Sequence, residues 1–400
     1  MYPAATRLIA LGAVTFIAAS CSHTVKGAAV TLAQATPAPA AAERIAPPVP
    51  PRVTPLRPLP APALAPGVRI GGFDYVSATD IAVWLGLKGA WTEPLRKLTL
   101  TDKTNSANQV EIEAKSRNAR VNGLRVFLGQ PTLLRSEKLY VSRIDVERCL
   151  APLLRPGLGV LLPSRPRIIA IDPGHGGIDD GTENKALGLK EKVLTLDVAF
   201  RLKKLLETSG YQVFMTRTGD KELSPDKKID LPLRALLANR AGADLFVSIH
   251  FNAAPKDTRG TEVFWLAPRM ERSTDSWSLG AEDDSVTEEL PGNRFDHWNV
   301  FFTATLHRAL RDTLKTEDRG IKMAHWAVLR TLNCPGVLVE PAIISNEGEA
   351  RRVATPAFRQ QIAEALAAGI RDYTAMLDSL RPKPQPAAAT VVTPPTSISR

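Results

Sequence analysis

Ile168-Ile-Ala-Ile171-Asp172-Pro-Gly-His175-Gly-Gly177 joins a short apolar run to a glycine-rich turn that carries an acid and an imidazole. That is the pattern of a buried strand ending at a rim where chemistry takes place. The same texture recurs downstream. Gln212 to Thr216, Leu245 to Ile249, Glu262 to Leu266 and Gly336 to Val339 are further strand-like runs, and helical patterns occupy 189–208, 231–241, 299–315 and 358–377. Strands alternating with helices predict an α/β fold over 167–378, a layered, mainly parallel sheet with helices on both faces. In such sheets ligands bind beyond the carboxyl ends of the strands.

What stands at those ends is specific. His175 follows the first run, His250 closes the third and Glu340 closes the last, while Glu191 opens the first long helix, whose start faces the same rim in a right-handed crossover. Each alone is unremarkable: a histidine after a strand is usually a hydrogen-bonded rim residue, and a glutamate at a helix start is favoured by the macrodipole. Together they offer two imidazoles and a carboxylate, the ligand set of hydrolytic zinc sites that keep a fourth position for water, with a second carboxylate left to take that water's proton. The glycines of 174–177 lack the Gly-Lys-[Ser/Thr] and Gly-x-Gly-x-x-Gly signatures, which argues against nucleotide binding.

Several separated segments, in order, resemble one family. They are Asp172 to Gly177, Leu189-Lys-Glu191-Lys, Thr216-Arg217, Leu233-Arg234 with Ala238-Asn239, Ser248-Ile-His250-Phe-Asn252-Ala, Gly320-Ile-Lys322-Met-Ala, Val328-Leu-Arg330, Val337-Leu-Val-Glu340 and Ser345-Asn346. This pattern resembles the zinc-dependent N-acetylmuramoyl-L-alanine amidases of the cell-wall type and covers nearly all of 167–375. The resemblance implies that His175, Glu191 and His250 bind one catalytic Zn2+ and that Glu340 is the general base and acid. The implied substrate is peptidoglycan, cut between N-acetylmuramic acid and the L-alanine of the stem peptide.

One departure stands beside the base. Where the family commonly has Gly-Phe, this chain has Pro341-Ala342-Ile343-Ile344, and Pro341 fixes φ and removes an amide N–H. Two other readings therefore stay open: a catalytically impaired, lipid-anchored peptidoglycan-binding protein, and a zinc peptidase acting on stem peptides. The His-x-x-Glu ligand pair usual in zinc carboxypeptidases is absent around His175. Between Pro268 and His297 lies an insertion with Glu271, Asp275, Glu282, Asp283, Asp284, Glu288 and Glu289. Some members of the family carry an inhibitory helix here, so an acidic side chain filling the metal position is one expectation and a solvated loop the other. Asn252 and Arg234 are read as orienting or structural residues. His297, His307 and His325 are read as packing or surface residues, with His325 the one to test for substrate contact.

The remaining sequence describes an exported protein. Arg7 and an apolar run from Leu8 to Ala19 lead into Ala18-Ala19-Ser20-Cys21, a secretory signal at 1–20 followed by a segment resembling a bacterial lipobox. Lipidation of Cys21 predicts a periplasmic protein anchored to the outer membrane; cleavage after Ala33-Gln34-Ala35 predicts a secreted one. Eleven of the 32 prolines fall between Pro37 and Pro66, so 21–66 reads as an extended linker and 379–400 as a disordered tail.

Residues 67–157 read as a small α+β module. Asn122-Gly123 signals a hairpin, and Tyr75-Val-Ser77-Ala-Thr-Asp80 is echoed by Tyr140-Val-Ser142-Arg-Ile-Asp145, each a strand, a serine cap and a helix start. The module resembles the N-terminal-like domain of copper amine oxidases; it has no histidine, and a positioning or wall-binding role or a passive spacer follows. Cys149 and Cys334 are expected to be unpaired buried thiols. A net charge of +10 favours anionic partners, but export removes nucleic acid from them. The mean hydropathy of −0.08 excludes a multi-span membrane protein. The expected partners are peptidoglycan, a membrane through the Cys21 anchor and a protein activator.

Overall fold

The computed structural model describes residues 63–274 and 284–381. The signal-like segment, Cys21, nearly all of the proline-rich linker, residues 275–283 and the tail from 382 lie outside the described residues.

The α/β layer fold is present. Its sheet runs Gln212–Met215, Ile168–Pro173, Leu245–Ile249, Gly336–Glu340, Thr261–Leu266 and Asp318–Ala324, all parallel neighbours except the antiparallel pair of Gly336–Glu340 with Thr261–Leu266. The central strands are buried on both faces, which is why they read as continuous apolar runs rather than alternating ones. Helices Glu191–Thr208, Asp296–Leu314 and Pro356–Leu380 cover one face, and Lys227–Arg240 with Ala327–Arg330 the other. Pro356–Leu380 begins where Thr355 caps Phe358 N–H and proline takes the first helical position. Lys227–Arg240 starts four residues before the sequence pattern predicts, because Asp226 caps Lys228, and it continues through Pro232 in its second turn.

In the N-terminal module both strand-cap-helix units form as read. Ser77 Oγ accepts the Asp80 N–H at 3.1 Å and Ser142 Oγ the Asp145 N–H at 3.1 Å. Their strands, Phe73–Ser77 and Lys138–Ser142, pair antiparallel within a four-stranded sheet. Asn122 (φ 49°) and Gly123 (φ 82°) turn the hairpin between Asn118–Val121 and Leu124–Phe127, the left-handed pair that a two-residue turn demands.

The module's other strands do not make a sheet of their own. Leu124–Phe127 lies parallel to Asp318–Ala324, so five module strands extend the α/β sheet to eleven. The cores merge as well: Ile81, Leu100, Ile112, Val126 and Leu150 share one apolar cluster with Trp265, Val300, Ile321 and Met323. Cys149 and Cys334 are free and buried, and burial raises both thiols well above the usual range.

The start of the insertion is pinned to the module. Glu271 is fully buried; its Oε2 accepts from Gln130 Nε2 at 2.7 Å, and its carboxylate packs on Gly129. Asp145 lies close by, accepting from Gly129 N–H, Gln130 N–H and the Ser142 hydroxyl. Burial, then the charge of Asp145, pushes Glu271 up to about 8 against the pull of Gln130 and Arg117. A carboxyl with a raised folded-state pKa gives stability that is complete below its unfolded value and is lost as pH rises through the folded one. Glu271→Gln keeps a partner for Gln130 and is expected to abolish a loss on the order of 4 kcal/mol between pH 4.5 and 8. Urea midpoints of the two proteins at pH 5 and pH 8 measure it; parallel pH slopes would contradict it.

Candidate metal centre

The turn after Ile168–Pro173 is held open by two buried arginines. Arg217 donates to the carbonyls of Pro173 (2.9 Å), Gly174 (2.8 Å) and Lys192 (2.8 Å). Arg234 donates to Asp172 Oδ1 (3.0 Å), Pro173 O (2.9 Å) and His175 O (2.9 Å). Asp172 is fully buried and also receives the hydroxyls of Thr216 and Ser248. Burial would raise its carboxyl, and the charge of Arg234 together with the Thr216 and Ser248 hydroxyls outweighs that and keeps it low. Thr216-Arg217 and Arg234 are thus scaffold: they satisfy the carbonyls of a loop that has left its sheet. Arg234 is structural, and Asn252, which lines the cleft, donates its amide to the buried Glu262.

His175 sits on this turn with φ 63°, a left-handed backbone costly for a residue with a side chain and maintained by the hydrogen bonds around it. Its Nδ1 lies 2.8 Å from Asp179 Oδ2, so the carboxylate takes the Nδ1–H and leaves the Nε2 lone pair facing inward. Glu191, the first residue of its helix, accepts Thr182 N–H at Oε2 and Phe251 N–H at Oε1. Burial would raise its pKa, but the two imidazoles outweigh it and hold the carboxylate ionised. His250 presents Nδ1 from the end of Leu245–Ile249.

The three donors meet. His175 Nε2 to Glu191 Oε1 is 3.1 Å, His250 Nδ1 to Glu191 Oε1 is 3.0 Å, and His250 Nδ1 to His175 Nε2 is 3.2 Å. Among the described residues this is the one group of histidines, cysteines and acids that could hold a metal ion. Bonds of about 2.0–2.1 Å at tetrahedral angles place ligand atoms roughly 3.3 Å apart, so the donor set fits zinc and keeps one face free. That face opens into a cleft of about 300 Å³ lined by the triad together with Asn252, Trp326, Leu338 and Glu340.

Glu340 is 7% exposed at the end of its strand and lines the same cleft. Pro341 leaves it there: the proline carbonyl accepts the Thr261 hydroxyl at 2.9 Å, which ties the strand end to its neighbour.

Asp179, the partner of His175, was not singled out from the sequence; an acid four residues after a ligand histidine is the signal that finds it. The insertion does not reach the metal position with its described acids. Glu271 is buried against the module, Glu289 pairs with Arg148 at 3.6 Å, and Asp284 and Glu288 are exposed; none lines the cleft. Asp275, Glu282 and Asp283 lie outside the described residues. His297, His307 and His325 are packing residues. They donate to Pro156 O (2.7 Å), Asp318 Oδ1 (2.7 Å) and Glu271 O (2.9 Å), so His325 turns to the insertion and not to the substrate cleft.

An α/β sheet with a His–Glu–His group at its rim and a glutamate lining the same cleft is an arrangement suited to metal-assisted hydrolysis. Residues 169–372 match the family model described as N-acetylmuramoyl-L-alanine amidase. The amidase AmiC of Escherichia coli O6:H1 is 33% identical over 254 residues, 58% of this chain and 58% of that protein. AmiA of Escherichia coli K12 is 33% identical over 234 residues, 53% of this chain and 78% of that protein. Among solved structures, the N-acetylmuramoyl-L-alanine amidase of Clostridium difficile 630 is 30% identical with a TM-score of 0.42, covering 54% of this chain and 99% of that one. The chain belongs to the N-acetylmuramoyl-L-alanine amidase family, whose members are peptidoglycan hydrolases.

Proposed function

We propose that this chain cleaves the amide between the lactyl group of N-acetylmuramic acid and the L-alanine of the stem peptide, with His175, Glu191 and His250 holding one zinc ion. The observation that carries the reading is the convergence of three donors within 3.0–3.2 Å beside Glu340 in one cleft. When bound, zinc supplies Lewis acidity that polarises the amide carbonyl and brings the pKa of water towards 7. Glu340 accepts the proton of the attacking water as the C–O bond forms, then returns it to the alanine nitrogen as the C–N bond breaks. Asp179 keeps His175 in the tautomer that binds metal, and the buried arginines keep the loop in place. A binding-only protein disabled by Pro341 is disfavoured by the position of Glu340.

Export, the lipid anchor on Cys21 and outer-membrane attachment rest on the sequence alone. The module at 67–157 resembles the copper amine oxidase N-terminal-like domain, and the shared sheet and core fix it rigidly to the catalytic domain, as a positioning role on the wall requires. A protein activator remains part of the reading.

The test is hydrolysis of N-acetylmuramoyl-tripeptide by the zinc-loaded chain. One new α-amine on L-alanine per bond cut, with one zinc per chain by elemental analysis, supports the reading. Cleavage elsewhere in the peptide would replace it with a peptidase.

A further inference from the structure

One side of the cleft is built by the N-terminal part of Lys227–Arg240 and the short helix Ala327–Arg330, which pack on each other. It presents Leu231, Val328 and the indole of Trp326. Trp326 stands out for its setting: Met323, Ala324 and His325 just before it are 1%, 5% and 6% exposed, whereas Trp326 is 42% exposed. Leaving an indole this open forgoes the burial that ordinarily places tryptophan in a core, as it does Trp265 and Trp298.

The ring is nevertheless fixed. It meets Phe264 edge-to-face, with centroids 5.8 Å apart and planes at 82°. The Trp326 carbonyl accepts Leu329 N–H at 2.9 Å, and the next residue back, His325, is tied by backbone and ring to Ser273 and Glu271. A rigid, half-exposed aromatic ring on the wall of a catalytic cleft is a binding surface whose ordering cost has been met in the fold.

We propose that Trp326 is the platform on which the pyranose ring of the muramoyl group seats while its amide lies between the triad and Glu340; this rests on the amidase reading. A pyranose presents an apolar C–H face that packs on an aromatic ring. The stem peptide on the other side of the amide carries carboxylates, to which an indole offers no counter-charge. The cations that line the cleft are Lys227, paired with Asp179 at 3.0 Å, and the buried Arg234, and neither is part of the indole's own surface. Trp326 thus selects the sugar side of the scissile bond and is a specificity residue rather than a participant in bond making.

The experiment uses the full zinc-loaded chain with Trp326→Leu, which keeps apolar packing on Phe264 without a ring face, and Trp326→Phe, which restores one. N-acetylmuramoyl-tripeptide is the substrate, and the lactoyl-tripeptide, identical but for the missing sugar, is the competing ligand. The leucine variant is expected to raise KM for the muramoyl substrate about tenfold with kcat within about twofold of wild type. The phenylalanine variant is expected to recover most of that loss. Neither changes the inhibition constant of the lactoyl-tripeptide, the zinc content or Tm. An unchanged KM, or an equal loss for both ligands, overturns the assignment, the latter by moving the indole to the peptide side. Failure of the wild type to cleave the muramoyl substrate defeats the amidase reading itself, and the platform with it.

Discussion

Replacing Glu340 by glutamine is expected to leave one zinc ion bound per chain and to lower kcat by on the order of 10³, the scale of losing a positioned general acid–base. The side chain is nearly isosteric, so the cleft keeps its shape. None of the triad distances involves Glu340, so the metal set is untouched. Because the proposed mechanism has the same carboxyl remove the water proton and protonate the leaving nitrogen, the loss is expected to fall on kcat and kcat/KM alike. Elemental analysis beside steady-state kinetics on N-acetylmuramoyl-tripeptide measures it. A glutamine variant retaining more than about a tenth of the activity would assign proton transfer to another group.

The second large effect falls on a residue with no side chain. A methyl group at Gly174 would lie 2.6 Å from His250 Nδ1 and 2.5 Å from Nε2, far inside contact distance. The backbone has no room to yield: Gly174 N–H donates to Ile249 O at 2.9 Å, and its carbonyl receives Thr195 Oγ1 and Arg217. The imidazole must therefore rotate, and Nδ1 leaves the triad. Gly174→Ala is expected to weaken zinc binding by at least 100-fold and to abolish activity, because a displaced ligand costs more than the loss of one of its hydrogen-bond partners. Gly219→Ala, where an added methyl meets nothing within 4 Å, is the control that keeps both. Zinc titration of the metal-free variants checks the pair; native zinc affinity in Gly174→Ala would show that His250 is not held where the structure places it.

The sequence made the catalytic half readable because burial on both faces turns each central strand into an apolar run and leaves its terminal polar residue exposed to interpretation. His175, His250, Glu340 and the helix-opening Glu191 all follow from that logic. Three features escaped it. The Asp318–Ala324 strand carries Lys322 and Arg319, whose charges are compensated by the buried Glu262 at 2.6 and 2.9 Å, so its core position has no apolar signature. The pairing of that strand with Leu124–Phe127 is a backbone event between segments almost 200 residues apart, and no side-chain period encodes it. The insertion's acids divide: their charge alone points to solvent or metal, and Asp284 and Glu288 are exposed, while Glu271 is buried against Gly129 and Gln130 beside a second carboxyl. The serine caps at Ser77 and Ser142, by contrast, are local, and local signals survive folding unchanged.

The most direct test of the account is incubation of the chain from residue 67 onward, which retains the module strands that extend the catalytic sheet, with isolated peptidoglycan, once with zinc and once with chelator, followed by mass spectrometry of the released fragments. The account predicts intact stem peptides beginning with a free L-alanine amine, released with zinc and absent with chelator. Fragments cut within the peptide, or release that is indifferent to chelator, would contradict it.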